Sequence, residues 1–268
     1  MSLVASTIDS RGVATLTLAR PERRNALDQG MVVELTRALR SLAGDARVRI
    51  VALAGAGAAF CAGGDIGWMR RVAADTLDAN ERDALLLAEA MQTLDALPKP
   101  TIARVHGAAF GGGVGLVACC DIAIAADSAT FCLSEVRIGL TPSVIGPYVL
   151  RAIGARQARR YFLTAEVISA AEARELGLVH EIAPAEQLDA RVARIADALL
   201  AGAPGAQAEA KASAERLAGR RIDEALTRET AKRIAARRAS AEGKEGLAAF
   251  LEKRPPAWAR ERNAGDVP

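Results

Sequence analysis

Aromatic side chains are scarce in this chain: five Phe, two Trp and two Tyr make up 3% of its 268 residues. A platform that stacks the bases of single-stranded nucleic acid needs more rings than that. No charge sign dominates either. The 35 Lys and Arg nearly cancel the 32 Asp and Glu, leaving +3, and the signs are interspersed, so no surface for a polyanion is implied. Long apolar runs are missing: Leu116 to Cys120 and Ile122 to Ala126 fall far short of the roughly 18 residues of a membrane span. Met1 to Ser10 has no charged stretch followed by an apolar one, so no signal peptide is visible. The expectation is a soluble cytoplasmic protein without nucleic-acid or membrane partners. Four cysteines, two of them the adjacent Cys119 and Cys120, and only His106 and His180 make neither a disulfide framework nor a metal-ligand spacing. No metal is expected, and the thiols read as small buried hydrophobes. Cys61 is the open case, because it stands beside a glycine-rich turn.

What the chain does have is a 51% hydrophobic fraction built from Ala, Leu, Val and Ile, enough for a sizeable core. Its first half pairs short apolar strands with glycine turns and helical segments, the rhythm of an α/β protein. Val13 to Ala19 alternates as a half-buried strand. Met31, Val32, Leu35, Ala38, Leu39 and Leu42 follow at helical spacing, and Ile50 to Ala54 reads as a fully buried strand. Thr101 to His106, Ile122 to Ala126, Thr130 to Leu133 and Leu178 to Ile182 are further strand candidates. Ser169 and Glu172 form a capping-box signature for a helix that Gly177 closes. From Ala185 onward the pattern is almost wholly helical, ending in Gly246 to Lys253 before Pro255 and Pro256. One α/β core with a helical C-terminal region is expected.

Two segments concentrate glycine where a strand yields to a helix: Phe60 to Ile66, with Gly63 and Gly64, and Phe110 to Gly115, with Gly111, Gly112 and Gly113. Such turns leave backbone N–H groups open to an anion. Three uses fit. Gly113-x-Gly115-x-x-Ala118 matches a dinucleotide fingerprint, with Asp127 and Glu135 downstream, although little length remains for a crossover helix before Ile122. The glycines could serve packing alone. Two turns could also supply one N–H each to a transient oxyanion.

The run Ala109 to Leu116 with Cys120 to Ala125 resembles the signature of the enoyl-CoA hydratase/isomerase (crotonase) superfamily. Arg20-Pro21 with Asn25-Ala26-Leu27 is similar to that family's first CoA-binding loop, and Phe60-x-Ala62-Gly63-Gly64-Asp65 to its second. Ser134 to Pro142 resembles its catalytic segment, and Glu242-Gly243, Gly246 and Phe250 to Arg254 its closing helix. The resemblance implies a spiral core of ββα turns over residues 1–200 and a helical trimerisation region over 201–268, assembled as a homotrimer or a homohexamer made of two trimers. It implies an acyl-CoA thioester substrate whose enolate oxygen is held by two backbone amides, and no separate cofactor, coenzyme A being part of the substrate.

Carried over by motif, those amides are Gly64 and Gly112, and Glu135 is the catalytic carboxylate. Ala26, Ala62, Asp65, Ile66 and Gly67 would line the CoA channel, with Phe250 and Lys253 near its adenine or phosphates, from a neighbouring subunit if not their own. One position departs from the pattern. Hydratases of this family use two glutamates, and the place of the other, three residues after Gly112, is occupied by Gly115. A single carboxylate suits an isomerase that moves one proton between two carbons of its substrate. The finer pattern at Cys119-Cys120-Asp121, Leu133 to Leu140 and Ala158 to Tyr161 resembles bacterial methylglutaconyl-CoA hydratases of leucine degradation, which share the glycine. Such a substrate has a distal carboxylate, for which Arg137 is a candidate partner, with a structural ion pair as its alternative. Ser143, Tyr148 and Cys61 are candidate pocket-wall groups, whereas Asp121 and His106 read as structural. A dinucleotide-binding oxidoreductase and a non-catalytic CoA-binding protein remain the other classes.

Overall fold

Alternation along the strands decides which face of the main sheet each side chain meets. The computed structural model describes residues 2–259, so Met1 and the last nine residues of the expected C-terminal region lie outside the described residues. The strands are β1 (Val4–Ile8), β2 (Val13–Leu18), β3 (Ile50–Gly55), β4 (Thr101–Val105), β5 (Ala108–Phe110), β6 (Ile122–Ala126), β7 (Thr130–Cys132), β8 (Ile168–Ser169) and β9 (Glu181–Ala183). The helices are α1 (Gln29–Gly44), α2 (Ile66–Val72), α3 (Leu77–Asp95), α4 (Gly112–Cys119), α5 (Gly146–Thr164), α6 (Ala170–Leu176), α7 (Leu188–Leu200), α8 (Pro204–Leu217), α9 (Glu224–Ala239) and α10 (Ala241–Leu251).

The main sheet has the order β1-β2-β3-β4-β6-β9, and only the β1–β2 pair is antiparallel. Parallel strands need both faces covered. Ala14, Leu16, Leu18, Val51, Leu53, Ala103, Val105, Ala123 and Ala125 point into the larger core with α1, α3 and α4. Val13, Ile50, Ile102, Ile124 and Ala126 point the other way, onto Leu188 and Ala196 of α7. The period of two in these strands thus builds both cores. A second sheet, β5-β7-β8, is small. Its position matters more than its size, because β5 follows β4 directly and leads into α4.

The α/β architecture agrees with the sequence expectation, and the differences are local. The edge strand β1 was not expected: only Val4 is buried, so its other residues have no apolar pattern to show. The strand expected at Leu178 to Ile182 begins later, as β9, because Leu178 and Val179 are buried in the turn after α6 and not in the sheet. The last helix ends at Leu251, so Lys253 stands outside it, with φ at 53°. The helices α8 to α10 are joined by polar contacts: Glu242 accepts from the Gly205 N–H at 2.9 Å and the Ala206 N–H at 3.1 Å, capping the start of α8.

The capping box opening α6 forms as expected: Ser169 Oγ accepts from the Glu172 N–H at 3.2 Å, and the Glu172 carboxylate accepts from the Ser169 N–H at 2.9 Å. Losing such a cap costs about 1 kcal/mol. Ser169→Ala is expected to lower the Tm by about 2–4 °C for a chain of this size, as thermal unfolding monitored by circular dichroism would show.

Candidate active site

Three short backbone pairings bring the site together. Leu27 bridges Gly64, Cys61 bridges Ala109, and Phe110 in β5 pairs with Cys132 in β7. Loop 24–28, both glycine turns and the segment bearing Glu135 therefore lie side by side, although they span more than a hundred residues of chain. The first loop is strained to do this. Arg24 and Asn25 are consecutive left-handed residues, at φ 50° and 54°, a conformation that costs non-glycine residues of order 1 kcal/mol or more each. The fully buried Asn25 side chain offsets the strain: its amide donates to the carbonyls of Ala56 and Ala59, both at 2.8 Å, and its oxygen accepts from the Arg20 N–H at 3.0 Å.

Close approach explains which glycines are needed. Gly111 has φ 48° and ψ −117°, backbone that only glycine adopts readily. A methyl group there would stand 3.1 Å from Glu135 Oε1 and 3.8 Å from the Gly63 Cα. A methyl on Gly113 would lie 2.5 Å from the Cys61 carbonyl oxygen, and on Gly112 2.8 Å from Leu27 Cδ1. At Gly64 the nearest atom would be Met69 Sδ at 3.5 Å, an ordinary contact. Gly64 precedes α2, and Gly112 is the first residue of α4. Among the described residues neither the Gly64 N–H nor the Gly112 N–H has a hydrogen-bond partner. For Gly64 the bridge itself sets the direction. Leu27 donates to the Gly63 carbonyl at 2.7 Å and accepts from the Asp65 N–H at 2.8 Å, so the N–H of the residue between them points away from Leu27.

Glu135 opens a single 3-10 turn, Glu135–Ile138, that follows β7. Its Oε2 is buried and makes no hydrogen bond, and burial pushes its carboxyl above the usual carboxylate range, against the pull of its own backbone N–H. Two open donors beside a desolvated carboxylate with one unpaired oxygen can hold a developing oxyanion and carry a proton to or from its neighbour. At Gly115 the absent side chain is replaced by a neighbour: a methyl there would lie 2.3 Å from Ile145 Cγ2 and 3.2 Å from Met91 Cε. The space for a second carboxylate is filled with hydrocarbon. This also corrects the dinucleotide reading, because Gly113 and Gly115 lie inside the eight-residue α4 and pack against Cys61 and Ile145, leaving no open loop for a pyrophosphate.

The remaining candidates divide. Ala26 and Asp65 are buried and Ala62 is half-buried on the two loops beside Gly64, while Ile66, exposed, and Gly67, half-buried, open α2. Phe250, 81% exposed, and Lys253 are not brought to this site within the chain. The helix α10, which carries Phe250 and ends just before Lys253, is anchored at the far end of the sheet: Trp258 lies against Gly246 of α10 and accepts through its carbonyl from Arg49, the residue before β3. Among the described residues Arg137 makes no ion pair; its guanidinium donates to the Ala165 carbonyl at 2.7 Å, tying the Glu135 turn to the end of α5. Cys61 is fully buried, its thiol pushed up to about 12 by burial, which leaves it no nucleophilic role. His106 sits at a strand end against the Gly57 carbonyl, at 2.8 Å. Asp121 accepts from Thr101 and, at 2.9 Å, from Lys211, a structural role. Ser143 hydrogen-bonds Thr141 on the exposed loop after the Glu135 turn, and Tyr148 is half-buried near the start of α5. Ile145, Leu27 and Arg20 were missed as site residues. The glycine at 115 was the one available signal for Ile145, since a buried gap must be filled by something.

Residues 9–261 match the family model described as enoyl-CoA hydratase/isomerase. The chain belongs to this family. It is 36% identical over 244 residues to a crotonyl-CoA hydratase of Syntrophomonas wolfei, covering 90% of this chain and 92% of that one. The crystal structure of an enoyl-CoA hydratase from Shewanella pealeana superposes with a TM-score of 0.93 at 45% identity, covering 96% of each chain. That of an enoyl-CoA hydratase from Mycobacterium smegmatis gives 0.90 at 36% identity, over 97% of this chain and all of that one, 100%. The spiral, crotonase-like α/β fold is thereby shown for this member of the enoyl-CoA hydratase/isomerase family.

Two measurements probe the geometry. The folded state raises the Glu135 pKa, so this group favours folding most below its unfolded pKa, and that contribution is lost as pH rises through the folded value. Glu135→Gln, which cannot ionise, is expected to gain Tm over the parent as pH increases from 4 to 8; an equal difference at every pH would contradict the burial of this carboxylate. Gly115→Ala is expected to destabilise by about 1–3 kcal/mol through overpacking. Joined with Ile145→Ala, it should cost at least about 1 kcal/mol less than the sum of the two single changes in urea unfolding.

Proposed function

We propose that this chain is an enoyl-CoA hydratase that adds water across the α,β-double bond of an acyl-CoA thioester. The observation that supports this best is the pair of unpartnered N–H groups at Gly64 and Gly112 beside the unpaired carboxylate of Glu135. The thioester oxygen accepts from both amides, and the start of α4 adds its positive end to the charge that develops there. Glu135 as a carboxylate takes a proton from water while the water oxygen bonds to the β-carbon, and the electron pair of the double bond moves onto the thioester as an enolate. The protonated Glu135 then gives a proton to the α-carbon, the enolate collapses, and the carboxylate is restored. Burial, which favours the neutral form, helps Glu135 keep the proton between the two transfers.

The acyl group we assign is methylglutaconyl, in leucine degradation, on the resemblance of the Cys119 to Asp121, Leu133 to Leu140 and Ala158 to Tyr161 segments. Arg137 is not offered as the partner of its distal carboxylate, being engaged with the Ala165 carbonyl. Phe250 and Lys253 are assigned to the CoA channel of a neighbouring subunit in a homotrimer or hexamer, which accounts for a large aromatic ring so exposed on α10. A second reading, double-bond isomerisation, is favoured by the hydrocarbon packing at Gly115, because one carboxylate suffices to move a proton between two carbons.

Incubation with crotonyl-CoA, 3-methylglutaconyl-CoA and a 3-enoyl-CoA in D₂O separates the readings. Hydration places oxygen on the β-carbon and deuterium on the α-carbon, whereas isomerisation adds no oxygen. Glu135→Gln is expected to lower turnover at least about 10²-fold with CoA-ester binding largely kept; unchanged turnover would sink the assignment.

A further inference from the structure

One guanidinium holds the N-terminal caps of two helices. Asp28 caps α1 by accepting from the Met31 N–H at 2.9 Å, and Asp65 caps α2 by accepting from the Trp68 N–H at 3.0 Å. Arg20 lies between them, Nη1 donating to Asp28 Oδ2 at 2.6 Å and Nη2 to Asp65 Oδ2 at 2.5 Å. The Arg20 and Asp65 side chains are only 12% and 10% exposed. Burial alone would raise the Asp65 carboxyl, but the Trp68 N–H and the Arg20 charge together hold it below the usual range. Arg20 is itself fixed at its backbone, its N–H donating to Asn25 Oδ1 at 3.0 Å and its carbonyl accepting from the Asn25 N–H at 3.0 Å. An unbroken set of hydrogen bonds therefore runs from the strained Asn25 loop through Arg20 to Asp65, the residue that follows Gly64.

We infer that Arg20 is a positioning residue that aims the Gly64 N–H at the substrate's thioester oxygen by holding Asp65 against the Asp28 cap. The inference rests on the proposed role of Gly64 as an oxyanion donor. The physical reason is the arrangement of charges. Without the guanidinium, two partly buried carboxylates would face each other with no cation between them, and Asp65 could relieve that repulsion only by swinging toward solvent. Its N–H is bonded to the Leu27 carbonyl, and the Leu27 N–H to the Gly63 carbonyl, so a displaced Asp65 disturbs the Leu27 bridge that sets the direction of the Gly64 N–H. A lysine cannot substitute, because an ammonium on a flexible stem lacks the planar fork that reaches two carboxylates at once.

The test compares the full-length parent with Arg20→Ala, Arg20→Lys, Asp65→Asn and the Arg20→Ala/Asp65→Asn double variant. Arg11→Ala serves as a control, since its ion pairs are with Asp9 and Asp197, away from the glycine turns. Two readouts are used. Hydration of crotonyl-CoA gives kcat and KM. The ultraviolet absorbance of the enolate of bound acetoacetyl-CoA, which forms at lower pH when a well-aimed pair of donors holds its oxygen, reports the oxyanion site without any turnover. Arg20→Ala is expected to lower kcat by about 10–10²-fold with KM changed less than about threefold, and to move the enolate titration of the bound ligand to higher pH. Arg20→Lys should recover little of either, and the double variant should be no worse than Arg20→Ala alone. Where Arg20→Ala fails to fold, Asp65→Asn with Arg20→Lys carries the comparison. A kcat and an enolate titration in both Arg20 variants equal to those of the parent would overturn the clamp. A parent that titrates the bound ligand but hydrates no enoyl-CoA would overturn the hydratase reading and leave the clamp standing, which keeps the two failures distinct.

Discussion

Everything at the candidate site depends on backbone meeting backbone without side chains between. Leu27 against Gly64, Cys61 against Ala109 and Phe110 against Cys132 are pairings of main chain from four separate stretches of sequence. They succeed because glycines beside them leave the approaching backbones room. With a Cβ at Gly113 or Gly107, the intruding carbon would meet a carbonyl oxygen at 2.5 Å or 2.2 Å, and neither backbone has room to retreat. The hydrophobic cores on the two faces of the main sheet hold this arrangement from behind, so the loops need not stabilise themselves.

The main sheet was largely legible because its physics is local. Continuous apolar residues in β3 and alternation in β2 announce strands with two buried faces or one, and Ser169 with Glu172 announces a helix start. Where the expectation slipped, burial had separated from periodicity. β1 is an edge strand whose outward residues carry no signal, and Leu178 and Val179 are apolar because a helix turn packs there. At the site, the glycine turns were legible as places where N–H groups stay open, and their pairing was implied by the family resemblance, but the backbone contacts that join them were not legible. Gly63 and Gly111 are 48 residues apart, and the closeness of their backbones is a property of the folded chain. Arg20 is subtler still, because an arginine beside a loop looks the same whether it faces water or spans two caps.

Stability and chemistry pull in opposite directions at Glu135. A buried carboxylate oxygen without a partner weakens the fold, and nearly all such groups in proteins are satisfied. That it persists here fits the proton-carrying role proposed for it. The packing beside Gly115 is hydrocarbon too: Ile145 and Met91 stand where a second acid would need room.

The burial of the cysteines has a consequence for a protein that works on unsaturated thioesters. Such molecules are electrophiles, and a thiolate near the conjugated double bond would add to the β-carbon and alkylate the protein. Cys61 lies in the very turn that leads to Gly64, yet burial pushes its thiol up to about 12, which disfavours the thiolate. Cys119, Cys120 and Cys132 are buried and shifted in the same direction. Close packing around these sulfur atoms thus protects the chain against slow suicide by its own substrate.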